Sequence, residues 1–159
     1  MNTIILGIDP GFTGAICAYN TATKDIEIYD MPLRVDTPRS EIDLEMLSRI
    51  FKQYYGQARA AVEDVGPNWR WSKKGIWSFG EGFGILKGML KAYNFDVDYI
   101  RPQDWKKAFN LIKKDKPASI AIAKKLSNLD AFRLKKHHGR AESFLIAYYA
   151  AHKRINLPK

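Results

Sequence analysis

The sequence contains little cysteine and no long apolar segment. Its single cysteine, Cys17, excludes a disulfide framework, and no Cys/His spacing suggests a zinc site. No apolar run approaches the ~20 residues that a membrane helix requires. Residues 1–9 are only briefly apolar and lack the basic region of a signal peptide. We therefore expect a soluble, cytoplasmic protein with no membrane partner.

Acidic side chains are outnumbered by basic ones. The chain has 26 Lys and Arg against 17 Asp and Glu, a formal net charge of +9. Residues 1–100 carry a net charge of −2, whereas residues 101–136 carry 11 basic and 3 acidic side chains. This basic region is either a solvated helical surface or a face that follows a phosphate backbone, and charge alone leaves both open.

The order of strands and helices predicts an α/β fold. With 46% hydrophobic residues the chain can build a core, and it has no repeat, linker or composition break, so we predict one domain over residues 1–159. Turn signals and periodicity predict a mixed five-stranded sheet flanked by helices, with three antiparallel strands followed by parallel ones. The predicted strands are 3–9, 13–20, 26–31, 60–63 and 97–100, and the predicted helices are 40–55 (with Ser40 as N-cap), 76–93, 103–112, 117–127 and 139–153.

The second predicted helix carries a stripe of small residues. Gly80, Gly84 and Gly88 recur every four residues, with Ala92 after them. Each glycine inside a helix costs roughly 1 kcal/mol relative to alanine, so the stripe predicts a close approach of another helix. Packing within the monomer and a dimer interface both satisfy this expectation.

Two acidic residues end otherwise apolar strands. Asp9 closes the first strand before the turn at Pro10 and Gly11, and Glu63 closes the fourth, with Asp64 next to it. A carboxylate in such a position is costly to bury unless it is paired or binds a metal. If the two strands are neighbours, the two acids converge, and oxygen ligands of this kind select Mg²⁺ or Mn²⁺.

A third acid lies at the start of the last predicted helix. His138 and Glu142 are four residues apart and share a helix face, and Glu142 precedes the apolar run 143–147. Each acid taken alone has a simpler explanation, since a strand-end Asp can form a turn and Glu142 can favour a helix N-terminus. Three acids, each at an apolar boundary, favour a metal site.

Three motifs together resemble a known family. They are Gly7-Ile8-Asp9-Pro10-Gly11 with Thr13-Gly14, then Val62-Glu63-Asp64-Val65, and then His138-Gly139-Arg140-Ala141-Glu142 before an apolar helix. In this order and at this length they resemble the RuvC-type Holliday junction resolvases, which belong to the ribonuclease H-like nuclease superfamily. The small size and the Arg-Ala-Glu variant are similar to a phage or other divergent branch, which would place the protein in the cytosol of a bacterial host.

The resemblance implies a function and a set of roles. It implies a homodimeric, metal-dependent endonuclease that recognises branched DNA, four-way junctions above all, and makes paired incisions that leave 5′-phosphate and 3′-hydroxyl ends. Two Mg²⁺ ions per site, replaceable by Mn²⁺, would activate water and stabilise the leaving oxygen. The implied catalytic and metal-binding residues are Asp9, Glu63, His138 and Glu142. The chain departs from the family at Gly139, where an acid is usual, and His138 is the proposed substitute, with His137 beside it.

The loop after Glu63 and the basic helical region are the predicted DNA-binding segments. The loop mixes tryptophans with cations, and an aromatic ring stacked on an unpaired base contributes roughly 1–3 kcal/mol. The family places an aromatic residue near this point, which either tryptophan could supply. The predicted DNA-binding residues are Trp69, Arg70, Trp71, Lys73, Lys74, Lys106, Lys107, Lys113 and Lys114.

Two other functions fit parts of the pattern. The first is a structure-specific protein that binds branched DNA without cleaving it, because its centre is altered at His138 and Gly139. The second is an actin-like phosphotransferase, since those proteins open with a similar first motif. We do not expect the second, because that architecture needs two such domains and a second phosphate loop, for which 159 residues leave no room.

Overall fold

The computed structural model describes residues 3–127, 132 and 135–152. Within these residues the chain forms five strands and five α-helices in the order βββαβαβααα, with one 3₁₀ turn at Lys135–His137. The strands are β1 (Ile4–Asp9), β2 (Ala15–Asn20), β3 (Ile26–Asp30), β4 (Ala58–Glu63) and β5 (Val97–Ile100). The helices are α1 (Leu44–Gln53), α2 (Lys73–Ala92), α3 (Pro102–Ala108), α4 (Lys116–Ser127) and α5 (His138–His152).

The strands form one mixed sheet with β1 at its centre. Their order is β3-β2-β1-β4-β5. β1, β2 and β3 pair antiparallel, as two successive hairpins require, whereas β4 pairs parallel to both β1 and β5. The predicted fold class, a mixed five-stranded sheet with three antiparallel strands followed by parallel ones, is therefore confirmed.

Helices cover both faces of this sheet. Alternate side chains of β1 point to opposite faces, as the period of a strand requires. Leu6 and Ile8 pack in a core with α1 and α2, while Ile5 packs in a second core with α3, α4 and α5. No helix in the described part of the chain is long and apolar enough to cross a membrane.

Helix α5 lies directly against β1 because Gly7 has no side chain. A Cβ atom at Gly7 would stand 2.1 Å from the carbonyl oxygen of Ser143 and 2.5 Å from the backbone nitrogen of Ala147. Two arginines hold the ends of the helix. Arg140 pairs with Asp30 of β3 through both carboxylate oxygens, at 2.6 and 2.5 Å, and Arg59 of β4 donates to the carbonyl of Ala150 at 2.8 Å.

Helix α1 begins later than the sequence analysis predicted. Its N-cap is Asp43, whose side chain accepts from the backbone N–H of Met46 at 2.9 Å, so the assignment of Ser40 was wrong. Ile42, directly before this cap, forms a β-bridge with Leu33, and this pairing prevents helical backbone before residue 43.

Two other helix boundaries differ by three residues or more. Helix α2 begins at residue 73 rather than 76, because Ser72 accepts from the N–H of Gly75 and caps it. Lys73 and Lys74 are therefore in a helix and not in the preceding loop. Helix α3 ends at residue 108 rather than 112, because Asn110 has a positive φ of 56° that a helix cannot contain.

The glycine stripe of α2 faces away from the rest of the described chain. No heavy atom from outside the helix and the adjoining residues lies within 4 Å of a Cβ placed at Gly80, Gly84 or Gly88, and all three residues are exposed. Packing against a described helix of the monomer therefore does not explain the stripe. The other explanation, that the stripe lies in a dimer interface, stays a prediction.

We predict that Gly7→Ala destabilises the protein, because the new methyl group would collide with backbone atoms of α5. Overpacking of a core typically costs about 1–3 kcal/mol, and this contact cannot be relieved by a side-chain rotation. Gly66→Ala is the matched control, since its methyl group meets open space and its backbone conformation accepts alanine. Urea unfolding should show a lower midpoint for Gly7→Ala and an equal or higher one for Gly66→Ala; equal midpoints for Gly7→Ala and wild type would contradict the prediction.

Candidate metal and DNA site

Asp9 is fixed by a tight turn at the carboxyl end of β1. The N–H of Gly11 reaches Asp9 Oδ1 at 3.4 Å, and the N–H of Gly14 donates to the carbonyl of Gly11 at 2.8 Å. Gly14 is required here, since a Cβ atom on it would lie 2.2 Å from the Asp9 carbonyl oxygen. The half-buried carboxylate is thereby held on the α5 side of the sheet, the side that Gly7 also faces.

Glu63 lies beside Asp9 at the end of the neighbouring strand. The parallel register pairs Gly7 with Ala61 and Ile8 with Val62, so the next residues along the two strands are Asp9 and Glu63. Glu63 is only 6% exposed. The indole N–H of Trp105 in α3 donates to its Oε1 atom at 2.9 Å.

Glu142 approaches the same place from α5. It follows the first turn of the helix and is half-buried, directly before Ser143, whose backbone contacts Gly7. The hydroxyl of Ser119 in α4 donates to Glu142 Oε1 at 3.3 Å. The contact of α5 with β1 therefore brings the third acid to the strand ends that carry the other two.

The three carboxylates repel one another at this position. Burial, and after it the charges of Glu142 and Glu63, raise the pKa of Asp9 to about 8, while the N–H of Gly11 and the charge of Lys106 act in the opposite direction. Burial also raises the pKa of Glu63, against the lowering effects of the Trp105 hydrogen bond and of Lys106. Without a cation, the cluster therefore retains a proton at neutral pH.

The donor set fits a hard divalent cation. Among the residues that the structure describes, no group of three or more His, Cys, Asp or Glu side chains is close enough together to hold a metal ion. Each of the three acids nevertheless acts electrostatically on another, and their oxygens are the ligands that Mg²⁺ and Mn²⁺ prefer. A bound cation would remove the repulsion that now raises the pKa of Asp9.

The two predicted histidines lie on different sides of the start of α5. Lys116 donates to His138 Nε2 at 3.1 Å, which directs this ring toward α4. His137 lies near Asp30 of β3 and contributes to lowering the pKa of that carboxyl. Whether His138 substitutes for the acid that the family carries stays a prediction.

Gly139 departs from the family for a steric reason. A Cβ atom at this position would lie 2.2 Å from the carbonyl oxygen of Thr13 and 2.8 Å from the Cα of Gly14. The backbone of α5 rests directly on the turn that follows Asp9, so no acidic side chain fits three residues before Glu142.

Of the two loop tryptophans, Trp69 is the exposed one. Its side chain is 85% exposed, and the guanidinium of Arg70 lies 5.1 Å from its ring centroid. Trp71 instead packs against Phe79 of α2, with ring centroids 5.1 Å apart. The Trp69 loop, 64–69, borders an open cleft of about 530 Å³ whose other side is formed by residues 101–103. None of the three acids lines this cleft, which begins at Asp64, the residue after Glu63.

The predicted lysines divide into two groups. Lys106 is half-buried, lies with Nζ 5.2 Å from the Trp105 ring centroid, and acts on both Asp9 and Glu63. The others are exposed on the first turn of α2, on α3 and in the loop before α4, namely Lys73, Lys74, Lys107, Lys113 and Lys114.

A larger cleft of about 580 Å³ lies away from these residues. It is formed by the segment 33–45 and by α2, and it is lined by Phe12, Arg39 and Glu81 among others. None of the three clustered acids lines it. Its size therefore does not make it the functional site.

The fold is that of solved RuvC structures. A structure titled "Thermus thermophilus RuvC structure" superposes with a TM-score of 0.61 over 98% of this chain and 98% of that chain, at 14% identity. A second, "T. thermophilus RuvC in complex with Holliday junction substrate", gives the same TM-score, identity and coverage. The chain thus has the ribonuclease H-like fold, in the form that RuvC adopts.

A curated relative shows similarity in sequence. "Holliday junction resolvase MOC1, chloroplastic" from Chlamydomonas reinhardtii is 38% identical over 78 residues, which is 47% of this chain. The chain spans 8% of the length of that relative. No protein-family model matches the chain. The predicted resemblance is confirmed, in sequence to a Holliday junction resolvase over part of the chain and in fold to RuvC over nearly all of it.

Two residues at the site escaped the sequence analysis. Trp105 belongs to a short helix whose pattern indicates only an exposed basic segment, and Ser119 is an ordinary helix residue. A tryptophan directly before Lys106 and Lys107 was the one available signal, since a buried indole needs an acceptor for its N–H.

We predict that the metal-free protein loses stability relative to Asp9→Asn as the pH rises from about 4 to 8. Folded Asp9 keeps its proton up to about pH 8, whereas the unfolded chain releases it near the ordinary value of 3.8. The folded state therefore binds more protons in this window, and the free energy of unfolding falls with pH. Urea unfolding in EDTA measures the free energy of unfolding at pH 5 and at pH 8. Between these pH values, that free energy should fall by on the order of a few kcal/mol more for wild type than for Asp9→Asn. Parallel profiles for the two proteins would contradict the prediction.

Proposed function

We propose that this protein is a metal-dependent endonuclease that resolves four-way DNA junctions by paired incisions. The observation that carries the proposal is the gathering of Asp9, Glu63 and Glu142 at one sheet edge of a RuvC fold. The similarity to a Holliday junction resolvase supports junctions as the substrate class, as does the RuvC structure titled as a complex with that substrate.

The three acids would hold the cofactor, two Mg²⁺ ions per site or Mn²⁺ in their place. Divalent cations supply the Lewis acidity that phosphodiester hydrolysis needs. The carboxylates themselves hold charge and do not attack phosphorus. Lys106 brings a positive charge to the same site, next to the expected position of the scissile phosphate. The expected products carry 5′-phosphate and 3′-hydroxyl ends.

The exposed surface around this site suits branched DNA. Trp69 stands in the loop that follows Glu63, where its ring can stack on a base that is unpaired at the branch point. Exposed lysines follow both walls of the cleft in sequence, Lys73 and Lys74 after the loop and Lys107 in α3, and would contact phosphates, which favours recognition of shape over sequence.

We propose that the protein acts as a homodimer. Paired incisions require two centres, and α2 offers an unpartnered face with its glycine stripe. Trp77, which is 68% exposed, lies three residues before Gly80 and so shares this side of the helix.

Cleavage of a four-way junction, a Y-fork and a linear duplex, measured side by side in Mg²⁺ and in EDTA, tests the function. We expect Mg²⁺-dependent cutting of the junction, and we expect Asp9→Asn to bind the junction without cutting it. Asp96→Asn is the matched control, because this exposed Asp lies before β5, at the opposite edge of the sheet.

The possible outcomes separate the alternatives. Equal cutting of all three substrates would exclude junction specificity while leaving a nuclease. Binding without cutting by the wild-type chain would favour the non-cleaving DNA-binding protein, whose specific support is the engagement of His138 by Lys116.

We predict that Trp69→Ala lowers junction affinity by about 5- to 150-fold, which corresponds to the roughly 1–3 kcal/mol of one base–aromatic stack. Trp69→Phe should keep most of the affinity, because it keeps an aromatic face. The loss should be the same at low and high salt, unlike that of a lysine variant. Fluorescence anisotropy with a labelled junction measures this, and unchanged binding by Trp69→Ala would exclude the stacking role.

A further inference from the structure

We infer that Trp105 is a positioning residue that orients the Glu63 carboxylate for metal binding. The inference rests on the proposed function. The indole N–H of Trp105 donates to Glu63 Oε1 at 2.9 Å, and the indole is fully buried. Neither the motifs nor the comparisons with known proteins assign a role to this residue.

The architecture fixes the indole in place. Helix α3 begins with Pro102, two residues after β5, and β5 pairs with β4 so that Ile100 lies opposite Glu63. The side chain of Trp105 packs in the core between the sheet and α5. Arg101 and Asp104 form an ion pair at 2.9 Å across the first turn. The donor is therefore carried by a short helix that starts directly at the strand ends.

The chemistry of the contact leaves Glu63 only limited freedom. An indole N–H can donate but cannot accept, so it requires an acceptor at Oε1 and leaves Oε2 without a bond to this ring. A carboxylate as buried as Glu63 needs such a donor to remain in its conformation. Groups that hydrogen-bond to a metal ligand in this way typically change metal affinity by about 10- to 100-fold when they are removed.

The same ring also meets a cation. Lys106 Nζ lies 5.2 Å from the centroid of the Trp105 ring, over its face, while the N–H on its edge points to Glu63. One rigid side chain thus contacts both the acid and the lysine of the site.

Calorimetric titration of Mn²⁺ alone into two variants separates positioning from packing. Trp105→Phe keeps an aromatic ring but has no donor, and Trp105→His is smaller but keeps a ring N–H. We expect about 10-fold or more weaker Mn²⁺ binding for Trp105→Phe and a smaller loss for Trp105→His. A purely structural role predicts the reverse order, because histidine fills the core less well, and that order would overturn the inference. Tyr55→Phe is the control and should bind Mn²⁺ like wild type, since its exposed ring lies before β4, at the opposite edge of the sheet.

A double-mutant cycle decides the matter if Trp105→His does not fold. Trp105→Phe should cost little Mn²⁺ affinity once Glu63→Gln is present, because the two changes act on one ligand. Additive losses would overturn the inference. If the proposed function is wrong, the wild-type protein neither binds Mn²⁺ nor cuts a junction in Mg²⁺. If only this inference is wrong, the wild-type protein does both, and Trp105→Phe binds Mn²⁺ as tightly as wild type.

Discussion

The direct contact of α5 with β1 at Gly7 determines the rest of the site. Because no side chain separates them, the backbone of the helix reaches the central strand of the sheet, and Glu142 arrives at the strand ends that carry Asp9 and Glu63. A side chain at Gly7 would push the helix outward and move Glu142 away from the other two acids. One missing methyl group thus makes possible a cluster whose members are distant in sequence.

The cluster itself opposes folding. Three carboxylates that share a partly buried edge raise the pKa of Asp9 to about 8, mainly through burial and then through mutual repulsion. Two interactions hold α5 in place against the repulsion between the carboxylates. Arg140 pairs with Asp30 at one end of the helix, and Arg59 donates to the carbonyl of Ala150 near the other end. Such local destabilisation is typical of sites that await a charged ligand.

The strand-end acids could be predicted because the physics behind them is local. Asp9 and Glu63 each end an apolar run, and neighbouring parallel strands end at the same edge of a sheet. The sequence pattern was therefore sufficient to predict that the two acids lie close together. The N-cap of α1 was predicted at the wrong residue because the β-bridge between Leu33 and Ile42 determines where the helix begins. No sequence signal near Ser40 indicates this pairing. Trp105 was missed because its acceptor lies 42 residues earlier in the chain. The exclusion of an acid at position 139 depends on the turn at Thr13, which only the folded chain brings near.

The most direct measurement is a crystal structure of the protein soaked with manganese, recorded at a wavelength where Mn²⁺ scatters anomalously. The account predicts anomalous density bounded by Asp9, Glu63 and Glu142, with the Trp105 indole still on Glu63. Density elsewhere on the molecule, or the three carboxylates turned toward separate surfaces with no metal between them, would contradict it.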